Sequence, residues 1–154
     1  MSYLHLFYTS FFATIAFGVI FNVPKKALFS GGTIGMFGFV LYSLLSVQFG
    51  YDMVAATWIS TLFVAIMSQL LARLQKMPVT VFSVAGIIPL VPGGLAYETM
   101  RNFVENEYFL AIQLATKTLL LSGAIAFGLI ISGVISQTIK RNDPIDIKYS
   151  QKND

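Results

Sequence analysis

The chain has 154 residues, of which 56% are hydrophobic and only 11% charged, with 14 phenylalanines and a mean hydropathy of +0.74. A soluble domain carries roughly 25% charged residues, so this is not a water-soluble globule; the sequence reads as an all-α integral membrane protein. Cysteine is absent and histidine occurs once, which excludes disulfides, thiolate metal sites, iron–sulfur clusters and a bis-histidine haem within one chain, so no metal, cofactor or catalytic residue is expected. The net charge of +3 does not point to nucleic acid, because the basic residues fall in loops and the tail, where membrane topology accounts for them.

A crossing of the hydrocarbon core, about 30 Å thick, takes about 20 apolar residues. Residues 3–23, "YLHLFYTSFFATIAFGVIFNV", have no Lys or Arg ahead of the apolar stretch and no small-residue cleavage site after it, so they read as a first transmembrane helix and not as a signal peptide. Further apolar stretches cover 28–47 and 53–72. A fourth covers 79–97, and the last runs over 110–138 and ends at "KRNDP". The sequence thus predicts one bundle of five transmembrane helices over residues 1–141 and a polar cytoplasmic tail over 142–154.

Basic residues follow the first span (Lys25, Lys26), the third (Arg73, Lys76) and the last (Lys140, Arg141, Lys148, Lys152). The alternate loops carry Asp52 and then Glu98, Glu105 and Glu107 against one Arg101. Basic loops on alternating sides place the N-terminus outside and the C-terminus in the cytoplasm.

Lipid supplies no hydrophobic drive between helices, so close approach depends on small residues. Gly31 and Gly35 form a GxxxG pair in the second segment. Ser10, Thr14, Gly18 and Asn22 recur every four residues in the first segment, as do Ala124, Gly128, Ser132 and Ser136 in the fifth. These are read as helix-packing seams, with Gly31, Gly35 and Gly128 at their centres. The first seam alone ends in an amide and could line a polar path. Gln69 and Gln113 are expected to hydrogen-bond near segment ends. His5 stands at a boundary, and Lys117, the one basic residue inside an apolar stretch, is the intramembrane charge candidate, with snorkelling at the outer boundary as its alternative.

The fourth segment contains "GIIPLVPGG", residues 86–94. From Val79 to Val91 the helix is roughly 20 Å long, too short to cross before Pro92, Gly93 and Gly94 interrupt it. Pro89 removes a further backbone donor. The segment is therefore expected to kink near 85–89, unwind near 92–94 and restart with Pro92 as its first helical residue. Irregular backbone at membrane depth is tolerated only inside protein or beside a water-filled cavity. A restarting half-helix would aim amides and a positive dipole end at a carboxylate, as in secondary transporters; a plain kink satisfied by neighbouring helices is the alternative reading.

With that motif in place, "VFSVAGIIPLVPGGLAY" (81–97) and "FNVPKKAL" (21–28) resemble the signatures of the threonine/serine exporter family of bacterial inner-membrane proteins, and the resemblance runs over nearly the whole chain. In that family a complete exporter has about ten membrane helices in two halves, fused or split between a larger and a small subunit. The resemblance implies that this chain is the small half, exporting threonine or serine, or succinate and related dicarboxylates in some split pairs. A second, larger membrane subunit of the family, or a homo-oligomer, would complete it. The candidate substrate-binding residues carried over are Pro89, Pro92, Gly93, Gly94 and Tyr97, with Asn22 and Pro24 from the junction. The rivals from other classes are a structural or assembly subunit of a membrane complex and a membrane enzyme or quinone-binding redox subunit, the latter opposed by the single histidine and the lack of paired intramembrane carboxylates.

Overall fold

The computed structural model describes the backbone of residues 3–141 and the side chains of residues 5–134. The expected tail at 142–154, the side chains of Lys140 and Arg141, and Ser136 of the fifth-segment seam lie outside the described residues. Everything described is helix and short connection: α1 (Tyr3–Ile20), α2 (Lys25–Ser43) running into a π-helical turn (Leu44–Gln48), α3 (Met53–Gln75), α4 (Val79–Ile87) running into a 3₁₀ turn (Ile88–Leu90), α5 (Gly93–Val104) and α6 (Tyr108–Arg141).

Three of these stretches are long and apolar enough to cross a membrane, Lys25–Gln48, Met53–Gln75 and Tyr108–Val134. They become four if the bent pair Val79–Leu90 and Gly93–Val104 is counted as one crossing. Residues His5–Ile20 of α1 form a shorter apolar helix, roughly 24 Å long. On helix length alone the five expected spans are therefore three to four among the described residues. The first span, expected to reach residue 23, ends at Ile20 because Asn22 leaves the helical region at φ 56°.

Three helices stop in the same way. Asn22, Lys76 and Asn106 take left-handed backbone conformations at φ 56°, 52° and 65°. In each case the next amide bonds back across the last turn: Val23 to the Gly18 carbonyl at 2.9 Å, Met77 to Ala72 at 3.0 Å and Glu107 to Asn102 at 2.9 Å. This is the arrangement that satisfies the orphan carbonyls of a helix end. At the first two joints a proline stands two residues later, and Pro24 and Pro78 cap α2 and α4. The junctions Asn22-Val23-Pro24 and Lys76-Met77-Pro78 are thus one joint used twice, a likeness hidden by their different left-handed residues. At the opposite end, Asp52 caps α3 by accepting the Val54 N–H at 3.0 Å.

The core is built on α2, α3 and α4: Ala27, Ile34, Val64, Ala72, Phe82 and Leu90 pack together with Ile125 of α6. Backbones approach closely where glycines lie. A methyl group at Gly86 would sit 2.9 Å from both Ile34 Cγ2 and Val64 Cγ1, and one at Gly128 would sit 2.9 Å from Thr61 Cγ2. The GxxxG pair does not form a single seam. A Gly31 methyl would meet Ala85 of α4 at 3.3 Å, whereas one at Gly35 would overlap the Thr14 side chain of α1. Four residues on one helix therefore seat two different neighbours.

Most buried hydroxyls are satisfied within their own helix, although the buried Ser60 Oγ has no hydrogen-bond partner among the described residues. Thr14, Thr57, Thr61 and Ser68 donate to the carbonyl four residues earlier at 2.7–2.8 Å, so each is polar in composition but closed within its own helix. Two glutamine side chains instead tie helices together. Gln69 Nε2 donates to the Ser132 carbonyl and hydroxyl at 2.6 and 2.7 Å, and Gln75 Nε2 donates to Ser30 Oγ at 2.7 Å. The first fulfils the expectation for Gln69. Gln113 is exposed and makes no such bond among the described residues.

Candidate functional site

The backbone around "PLVPGG" departs from a helix in three steps. Pro89 has no N–H to give, and Ile88 already bonds to the Ala85 carbonyl in 3₁₀ fashion, so the ladder tightens over Ile88–Leu90. Val91 then turns extended (φ −65°, ψ 128°) and Pro92 follows at φ −77°, ψ 55°. Gly93 donates to the Val91 carbonyl at 2.8 Å, and the regular ladder resumes with Ala96 donating to Pro92 at 3.1 Å. The first helical residue is Gly93 and not Pro92, which takes the capping position. Its ψ of 55° is far from the helical value, so the expected restart at Pro92 moves by one residue. The two helical pieces meet at 53°.

The amides of Gly94 and Leu95 lie in the first turn of α5, ahead of the helical ladder, where a helix presents unpaired donors. Gly93 and Gly94 are exposed, and a methyl group added at either meets no atom within 4 Å. Tyr97 follows one turn on and is 69% exposed. Pro89 lies on the opposite side of the break, half-buried, in a hollow of about 210 Å³ shared with Thr9, Ser10, Ala13 and Phe39. The break therefore has two aspects: a closed side against α1 and α2, and an open side formed by the glycine pair and α5.

Pro92, Gly93, Gly94 and Tyr97 follow one another from the break into α5, whereas Pro89 stands in the separate hollow against α1 and α2. Asn22 is not among them. Ser10 of α1 touches the Pro89 hollow, and Asn22 lies twelve residues further along the chain, roughly 18 Å at the helical rise. Its left-handed φ of 56° and the Val23-to-Gly18 bond give it the work of ending α1. Pro24 likewise caps α2. Lys117 lies exposed on α6, with no ion pair among the described residues.

One element of this region was not legible in the sequence. The acidic stretch after Tyr97 reads as a loop, but residues through Val104 are helical, and the turn is confined to Glu105–Glu107. α5 packs on α6 and makes no comparable contact with another helix. It places Thr99 against α6 with Leu95 and Asn102 half-buried beside it. The signal that could have found it is spacing: Gly93, Tyr97, Met100 and Val104 recur at intervals of four, three and four, the period of one helical face. Arg101 Nε bonds Glu105 Oε1 at 2.8 Å on its charged flank.

Against known proteins, residues 6–135 match the family model described as "Threonine/Serine exporter, ThrE". Among curated relatives, an uncharacterized protein of Haemophilus influenzae is 32% identical over 143 residues, which covers 86% of this chain and 48% of that protein. The chain thus spans about half the length of the relative it matches. No solved structure matches.

Proposed function

The chain belongs to the threonine/serine exporter family, and from that premise we propose that it is one half of a secondary transporter that exports threonine and serine across the bacterial inner membrane. As a member of a transporter family with several membrane-crossing helices, it is a multi-pass membrane protein. The finer reading is five crossings: α1, α2 with its π turn, α3, the bent α4–α5 pair, and α6. The N-terminus lies outside and the C-terminus in the cytoplasm, because the basic joints at Lys25–Lys26 and Arg73–Lys76 alternate with the acidic connections at Asp52 and Glu105–Glu107.

The observation that carries the transport reading is the break itself. Between Leu90 and Gly93 the helical ladder is interrupted and then restarts at a helix N-terminus, where a partial positive charge and free amides suit a carboxylate. In transporters built from paired halves, such discontinuous helices hold the substrate where the halves meet. The half-length match supports a second, larger family subunit as the completing part. Substrate would contact the amides of Gly94 and Leu95, since the Gly93 N–H is already given to the Val91 carbonyl, with Gly93 leaving room for its approach and Tyr97 supplying a side-chain hydrogen bond. Succinate and related dicarboxylates are the alternative cargo, since the same donors suit any carboxylate.

The test is efflux from cells preloaded with labelled threonine, serine or succinate, with this chain and the larger family subunit co-expressed. Because a side chain at Gly93 or Gly94 meets open space in the single chain, Gly93→Val and Gly94→Val are expected to leave membrane insertion intact and abolish efflux. Unchanged efflux would refute the site. Loss of the larger subunit from the membrane whenever this chain is deleted, with no cargo moved by the intact pair, would favour the structural or assembly role instead.

A further inference from the structure

We infer that the open face of α5, the stripe Gly93, Tyr97, Met100 and Val104 that begins at the Pro-Gly break, is the docking surface for a transmembrane helix of the second, non-identical half of the transporter. The inference rests on the half-transporter reading above and adds to it the surface and the character of the partner.

α5 has three sides. Thr99, Leu95 and Asn102 face α6. Glu98, Arg101 and Glu105 form a charged flank. The stripe lies on the remaining side, roughly opposite α6 at 100° per residue. Tyr97, Met100 and Val104 are 69%, 68% and 83% exposed, while Thr99 is only 8% exposed. A hollow of about 310 Å³ runs along this face, lined by Tyr97, Met100, Arg101, Val104 and Glu105. The 4-3-4 spacing is that of a helix contact seam, and Gly93 at its end leaves room for close backbone approach.

This face cannot be left bare at either depth. In the hydrocarbon core, the irregular backbone of Val91–Gly94 and the flanking glutamates would need protein or water to cover them. Outside the core, Tyr97, Met100 and Val104, with Phe103 and Phe109 (39% and 78% exposed) beside them, would form an apolar patch in water of the kind that marks an interaction site. In both settings protein is a cover that suits the face, and among the described residues no helix of this chain other than α6 packs extensively on α5.

The occupant is a different chain for reasons of charge. A two-fold pair of identical chains sets the same patch against itself. The rim of this patch holds Glu98, Glu105 and Glu107, and its only basic residue, Arg101, is already bonded to Glu105. Self-pairing would bring acid against acid, which costs affinity. The fitting partner presents an apolar seam with a neutral or basic flank. The relative of about twice this length carries a further stretch of chain comparable in length to the half matched here.

Cysteine is absent, so single thiols are clean probes. Nitroxide labels would be placed at Met100 and Val104, with Leu70 on α3, 50% exposed, as the control, and the chain reconstituted in nanodiscs alone and with the larger family subunit. Oxygen or nickel-chelate accessibility is expected to fall at least threefold at 100 and 104 when the subunit is added and to stay unchanged at 70. Met100→Glu is expected to cut co-purification of the two subunits at least tenfold while the chain alone still inserts. Low accessibility at 100 and 104 in the chain by itself, with a dimer mass, would overturn the proposal in favour of a second copy. Full accessibility in a stable pair would overturn the surface and leave the half-transporter reading standing. A wild-type chain that never co-purifies with the subunit, or that exports cargo alone from liposomes, would overturn the half-transporter reading itself.

Discussion

Gly128→Ala is the sharpest test of how this bundle is held together, because the same helix contains its own control. An added Cβ at Gly128 would lie 2.9 Å from Thr61 Cγ2, 3.0 Å from Thr61 Cβ and 3.5 Å from the Leu62 backbone nitrogen. Ordinary carbon contacts are about 3.5–4.0 Å, so α6 must move away from α3 by roughly 0.5–1 Å. Thr61 cannot simply rotate aside: it is fully buried and its hydroxyl is held by the Thr57 carbonyl at 2.8 Å. Overpacking of this kind costs about 1–3 kcal/mol, against a gain of up to about 1 kcal/mol for Gly→Ala in a helix. At Gly123, five residues earlier, an added Cβ meets nothing within 4 Å, so Gly123→Ala retains only the gain. The two variants should therefore differ by about 1–3 kcal/mol, with Gly128→Ala the less stable. Reversible unfolding by steric trapping in bicelles measures the difference directly. If Gly128→Ala proved as stable as Gly123→Ala, the α3–α6 contact would not be as close as described and the packing argument would fall.

The remaining predictions concern the ties, the joints and the topology. Gln69→Leu removes two hydrogen bonds to Ser132 and should cost about 0.6–2 kcal/mol by the same unfolding measurement. Combining it with Ser132→Ala should cost less than the sum of the single changes, and strict additivity would mean that the side-chain part of the tie contributes nothing. At the first joint, Asn22→Gly should be neutral or stabilising because glycine accepts φ 56° freely, whereas Asn22→Val should cost about 1–2 kcal/mol. Loss of efflux in a fully folded Asn22→Gly protein would instead show that the amide handles substrate. Single cysteines replacing Asp52 or Glu105 should react with a membrane-impermeant maleimide added to intact spheroplasts, and those replacing Lys26 or Lys76 should react only after lysis; the reverse pattern would invert the topology.

The left-handed positions separate residues that resemble a family signature from residues that carry its chemistry. Asn22 and Pro24 belong to the junction that helped to mark the family, yet the same geometry recurs at Lys76 and Pro78. A feature used at both joints is most simply a device for reversing the chain. The Pro-Gly break has no such second copy among the described residues, and its open side faces away from every other helix that could satisfy it. That asymmetry makes the break, and not the junction, the place to look for substrate and partner.

Hydropathy and charge, read along the chain, were enough to establish a helical membrane protein, the approximate extent of most of its apolar segments and the presence of a break near Pro92. The reason is physical. A bilayer sorts residues by transfer free energy one segment at a time, and proline and glycine act on the backbone locally, so neither effect needs knowledge of the neighbours. Tertiary structure alone decided which glycine faces which helix, as when Gly31 seats α4 and Gly35 seats α1, and which hydroxyls close on their own helix while Gln69 reaches across to Ser132. It also decided that the acidic stretch after Tyr97 continues as a helix with one covered side and one bare one. Those outcomes depend on rotation and register between helices, which are set by pairwise packing at distances of a few ångströms: a single segment can carry a helical period, as the spacing of Gly93, Tyr97, Met100 and Val104 does, but not which neighbour covers which face.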